Sequence, residues 1–194
     1  MRQWILMTAL FIVAPLKPGF AAVNFAKDKG NSQFLAIGNP SAIRIEGKGE
    51  GPEGSLQTRE EGKNIVISGA LKVDMKSYAT GISLRDRHMK EKYLEVEKFQ
   101  TATLNLKDIY LVKEDLQKNP ETKATFFAVL DMHGVQKPVQ GEFTVKPASA
   151  GGGYSVNAKF PLKLSDFAIN VPAFAGITVA DQVEVTTTTD VEKF

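Results

Sequence analysis

From Ile65 onward, apolar and polar side chains alternate with a period of two. Ile65, Ile67, Leu71, Val73 and Met75 share one parity, against Asn64, Ser68, Lys72, Asp74 and Lys76 on the other. Ala102, Leu104 and Leu106 alternate with Thr101, Thr103, Asn105 and Lys107, and Phe143 and Val145 with Glu142, Thr144 and Lys146. The cleanest stretch sets Tyr154, Val156, Ala158, Phe160, Leu162 and Leu164 against Ser155, Asn157, Lys159, Pro161, Lys163 and Ser165. Strict alternation of this kind predicts strands with one buried face. Val183, Val185 and the β-branched run Thr186 to Thr189 predict a closing strand.

Two segments break the rule. Residues 126–130 (FFAVL) are apolar on both parities, which predicts a strand covered on both faces. Residues 84–99 (LRDRHMKEKYLEVEKF) are charged and do not alternate, which predicts a short helix near 84–96. Ser83, with Asp86 three residues on, suits its start, and Leu84, His88, Tyr93 and Leu94 would form an apolar face lying over the sheet. The glycine-rich run Gly47 to Gly54, Asn119-Pro120 and Ala148 to Gly153 read as turns between strands. Short turns, several strands and one helical excursion predict an all-β domain, an antiparallel β-barrel of about eight strands.

The N-terminus has a different character. Arg2 precedes an apolar run from Trp4 to Ala14, followed by a polar stretch containing Pro15, Pro18 and Gly19. That order predicts a secretory signal peptide; the run is far short of the roughly 20 residues a membrane-spanning helix needs. Small residues at −3 and −1, Gly19 and Ala21, place cleavage after Ala21. The expectation is therefore a signal peptide at 1–21, one domain at 22–194 and a periplasmic, freely diffusing protein. The whole chain carries a net charge of +2, and losing Arg2 and Lys17 would bring it to zero. No basic stripe remains to suggest nucleic acid. The absence of cysteine excludes disulfides and a lipid-modified N-terminal cysteine, so stability must come from a core.

Candidate chemistry is sparse. The glycine run lacks a Gly-Lys-Ser/Thr ending and carries Glu46, Glu50 and Glu53, which would repel phosphate. The only histidines are His88 and His133, too few for a three-histidine metal site, and neither ligand spacing nor a Gly-x-Ser-x-Gly elbow is present. The inventory points away from catalysis, and no metal or cofactor is expected.

The segment from Ser68 to Leu104 closely resembles the YceI-like family of exported, lipocalin-like barrels. The resemblance rests on Thr80-Gly81, Arg85-Asp86-x-His88-Met89, Tyr93-Leu94 and Phe99. It extends to Met132 through Val139 (MHGVQKPV), to Phe160-Pro161-Leu162 with Leu164 to Ile169, and to Asp181 through Val185. It implies binding, storage or transport of a long-chain isoprenoid or similar amphiphilic lipid in an apolar tube. On that reading Leu71, Val73, Phe126, Leu130, Phe143, Tyr154, Val156, Ala158, Phe160 and Leu162 line the pocket. Residue pattern alone leaves open that these side chains pack a filled core, the barrel serving instead as a periplasmic stress or interaction protein. Arg85, His88 and Lys137 are candidates for contact with a polar head group, with a purely structural role at their turns as the alternative. The partner expected is a hydrophobic small molecule, and the oligomeric state, monomer or dimer, is left open.

Overall fold

A computed structural model describes residues 20–39, 43–148, 152–174 and 177–192. Most of the expected signal peptide, residues 1–19, lies outside the described residues, as do residues 149–151 of the turn read at Ala148 to Gly153. The first four strands, β1 (Phe20–Phe25), β2 (Gly30–Asn39), β3 (Ile43–Glu50) and β4 (Glu53–Glu61), form one long bent hairpin. A 3₁₀ turn at Lys27–Lys29 interrupts the first limb, and Gly51-Pro52 the second. β2 pairs with β3 and β1 with β4, and across the bend the Gly51 amide donates to the Lys27 carbonyl at 2.9 Å.

The remaining long strands follow as an antiparallel meander: β5 (Asn64–Asp74), β6 (Thr101–Val112), β7 (Thr122–Met132), β8 (Val135–Pro147), β9 (Tyr154–Lys163) and β11 (Ile177–Val191). The short β10 (Ala173–Phe174) folds onto β11. The sheet order is β1-β4-β5-β6-β7-β8-β9-β11-β2-β3. Its two ends, β1 and β3, belong to limbs already embedded in the sheet through β2 and β4. The sheet therefore curls onto itself as a barrel in which each bent limb counts as one strand beside six more, eight in effect.

The bend explains the glycine run, which is not a tight turn as the sequence reading had it. Gly47 and Gly49 lie inside β3 and Gly54 inside β4, and only Gly51-Pro52 leave the strands. Gly47 pairs with Phe34, whose ring occupies the space beside it: a Cβ there would stand 2.1 Å from the ring. At the corner itself a Cβ on Gly51 would meet the backbone of Gly30 at 2.7 Å.

Other local departures have physical causes. β6 carries one extra residue between Leu106 and Ile109, and Asp108 takes up the bulge at φ 50°. Its carboxylate accepts from Arg59 Nη2 at 3.0 Å, and its amide donates to Ser68 Oγ at 2.9 Å. The bulge switches the inward parity of β6, so that Ile109 and Leu111 follow Leu106 into the core. Segment 126–130 is covered on one face only. Phe126, Ala128 and Leu130 are buried, whereas Phe127 is 67% and Val129 41% exposed. Below Leu106 the ladder between β6 and β7 ends, and a short helix, α2 (Lys113–Lys118), carries the chain across and buries Leu116.

The helical excursion runs as α1 (Ser83–His88) and a π turn at Met89–Tyr93. Ser83 does not cap it: Ile82 holds that position without a side-chain bond. Asp86 reaches back instead, accepting from the Thr80 amide at 2.7 Å and from the Thr80 hydroxyl.

Candidate ligand-binding cavity

Inward parity and barrel closure together leave a hollow. The closed end is packed solid by Val23, Leu111, Leu116, Val145 and Val191, all buried. Above them lies a cavity of about 490 Å³, within the range of small-molecule sites. Its wall is almost wholly apolar. β5 contributes Leu71 and Val73, β7 Phe126 and Leu130, and β8 Phe143. β9 contributes Val156, Ala158, Phe160 and Leu162. Phe126 sits at the centre of an aromatic group, 6.4 Å from the Phe143 ring and 6.0 Å from the Phe160 ring.

Two residues expected at the pocket stand elsewhere. Tyr154, the first residue of β9, pairs with Val191 and Pro147 at the packed end, below the hollow. Lys137 pairs with Leu130 near the β7–β8 turn, but its side chain is exposed and outside the lining. For Tyr154 the alternation holds, but its height along the barrel axis is a property of the assembled sheet.

α1 and the π turn lie over the mouth, contributing Leu84, Arg85, His88, Met89 and Tyr93 to its lining. Ile82 and Leu84 line the cavity while remaining 53% and 45% exposed, so the rim offers apolar surface to anything approaching from outside. Arg85 is engaged locally: Nε donates to Thr80 Oγ1 at 2.7 Å and Nη2 to the Thr80 carbonyl at 3.0 Å. Partial burial raises the Asp86 pKa, but the Thr80 hydroxyl and amide, the Lys90 charge and the Gly81 amide outweigh it and hold the carboxyl below its usual range. Thr80, Arg85 and Asp86 thus form one hydrogen-bonded clasp at the rim.

His133 braces the far side of the mouth. Its Nδ1 lies 3.0 Å from the Phe167 carbonyl and its Nε2 3.1 Å from a Glu95 carboxylate oxygen, with the Phe99 ring 4.3 Å away. Among the described residues no group of three His, Asp or Glu side chains could hold a metal ion. A 3₁₀ turn at Ser165–Phe167 buries Phe167 and brings Ile169 to the cavity wall. Asp181 fixes that turn by accepting from the Ser165 amide at 2.8 Å and hydroxyl at 2.6 Å, and these bonds lower its pKa. A carboxyl depressed on folding adds stability above its unfolded pKa, about 4, and loses it as pH falls through the lower native value. Asp181→Asn is therefore expected to melt below wild type at pH 7, with the gap closing below about pH 4. Melting curves across that range check this; a gap that persists unchanged into acid would show that the charge is not what counts.

Sequence reasoning passed over several lining residues: Phe34, Ala36, Tyr78, Ile82, Thr187 and Thr189. Phe34 and Ala36 alternate with Gln33 and Leu35 and were readable. Tyr78 was not, since it follows a strand and is carried inward by the 3₁₀ turn Met75–Ser77. Burial pushes its phenol pKa up, partly offset by a hydrogen bond with Ser32.

A closed antiparallel barrel with a hollow apolar interior and a helix over its mouth is a protein built around an internal ligand site. The profile of the YceI-like domain matches residues 26–191, and the chain belongs to that family. Among solved structures it is similar to a polyisoprenoid-binding domain from Saccharophagus degradans, at 16% identity and a TM-score of 0.58, covering 90% of this chain and 99% of that one. It is also similar to BcnA of Burkholderia cenocepacia, at 16% identity and a TM-score of 0.64, covering 86% and 98% of the two chains. At such identities the likeness establishes the fold. No curated protein sequence matches the chain.

Proposed function

We propose that this protein binds a long-chain isoprenoid or similar amphiphilic lipid and stores or carries it in the periplasm, without catalysing a reaction on it. The observation that carries this reading is the hollow itself: about 490 Å³ of apolar space inside the barrel, opening beneath α1. A packed barrel serving only as an interaction surface would have no use for it, because unfilled volume forfeits contacts among the surrounding side chains. An apolar tail gains about 0.8 kcal/mol per buried CH₂, less the cost of ordering the chain, so a slender lipid needs no charged anchor. Arg85 and His88 at the mouth are the proposed neighbours of a polar head group. The polyisoprenoid-binding domain with the same fold supports an isoprenoid class of ligand.

The test is mass spectrometry of protein taken from the periplasmic fraction of its native host. The intact mass is expected to correspond to a chain beginning at Ala22. The organic extract is expected to contain a long-chain lipid at about one molecule per chain. Protein recovered intact with an extract free of lipid would overturn the binding reading, and a retained Met1 would overturn export with cleavage.

A further inference from the structure

Away from the mouth, β11 brings two threonines into an otherwise mostly apolar cavity wall. β11 sends alternate side chains inward, and from the mouth downward these are Val183, Val185, Thr187 and Thr189, with Val191 in the packed floor beneath. Thr187 pairs with Ser32 on β2 and Ala158 on β9; Thr189 pairs with Gly30 and Val156. The strand partners of the two threonines are mostly small: Ser32, Ala158 and Gly30, with Val156.

The neighbouring hydroxyl of Ser32 is accounted for, since its Oγ donates to the Glu50 carbonyl and shares a hydrogen bond with Tyr78. Thr189 is not. Its residue is 3% exposed, it lines the cavity, and its Oγ1 has no hydrogen-bond partner, the only such buried side-chain atom among the described residues. Native interiors seldom leave a buried hydroxyl unpaired, and valine would fill the same shape without that cost, as Val185 and Val191 do on the same strand face.

We propose that Thr189, with Thr187 beside it, receives an oxygen function carried by the inserted end of the ligand. The site then takes a chain that is apolar along its middle and bears a hydroxyl, carbonyl or ether oxygen at the end that enters first. This rests on the cavity being a lipid site and adds the chemistry of the ligand's buried end.

The experiment compares delipidated wild type, Thr189→Val and Thr189→Ser for binding of hexadecanoic and eicosanoic acid, each with and without a terminal hydroxyl, by displacement of a fluorescent long-chain probe. Thr189→Val is expected to weaken the hydroxylated acids about tenfold, the cost of stranding one buried hydroxyl, while the parent acids stay within about twofold. Thr189→Ser, which keeps the hydroxyl, is expected to retain the wild-type ratio between the two kinds of acid. An equal change for both kinds, or no change for either, would overturn the inference while leaving the lipid site standing. Failure of every acid and of the probe to bind wild type would overturn the lipid reading, and this inference with it.

Discussion

Ala158→Trp is expected to remove lipid binding while leaving the barrel folded. Ala158 faces the cavity between Phe143 on β8 and Thr187 on β11, and it is the smallest residue on the inward parity of its strand. An indole there projects into the hollow rather than into packed neighbours. Excluding about four CH₂ groups' worth of ligand at about 0.8 kcal/mol each weakens binding by about two-hundredfold. A filled core would respond differently, because overpacking costs about 1–3 kcal/mol and would lower the melting temperature directly. Lys159→Trp is the control: Lys159 points outward and pairs with Glu184 at 2.9 Å. Thermal unfolding of delipidated protein is to be measured beside retention of extracted lipid. A lowered melting point with lipid still held would defeat the pocket at this position. If folding and binding fail together, Val156→Trp, one inward position nearer the floor, repeats the test.

Gly51→Val should do the reverse, damaging the fold itself rather than filling the hollow. Gly51 is buried at the corner where β3 passes into β4, against the backbone of Gly30 at the start of β2. A side chain there must separate the two limbs whose contact lets the sheet close, and backbone cannot swing aside as a side-chain tip can. A loss of about 3 kcal/mol is expected, which for a chain of this size lowers the melting temperature by about 6–12 °C. Gln57→Val places the same residue at an exposed position on β4 and should move it by no more than about 2 °C. Equal melting points for the two variants would mean that the corner tolerates the added volume.

These two sites mark the boundary between what was legible in the chain and what was not. Alternation from Tyr154 to Leu164 revealed a strand, its inward face and the one small residue on that face, because side-chain direction in a strand follows from local backbone geometry. The same rule reached Leu71, Val73 and Phe143, and the non-alternating run at 84–96 revealed the helical cover. It failed where a residue's role depends on a distant partner. The glycines from 47 to 54 read as a turn, since nothing local says that Phe34 and Gly30 need the space above them. α2 was missed because one helical turn around Leu116 has too few periods to stand out from the strands beside it. Phe127 and Val129 read as covered because apolar composition does not say whether another layer exists.

The sequence by itself determined which side chains share a face along each regularly alternating strand, since that depends only on a local period of two. Tertiary structure alone decided how far along the axis each of them falls. Register and closure put Tyr154 in the packed floor and left Lys137 outside at the rim. They also carried the unpaired hydroxyl of Thr189 into the wall of the hollow, because strand pairing is settled between segments far apart in the chain.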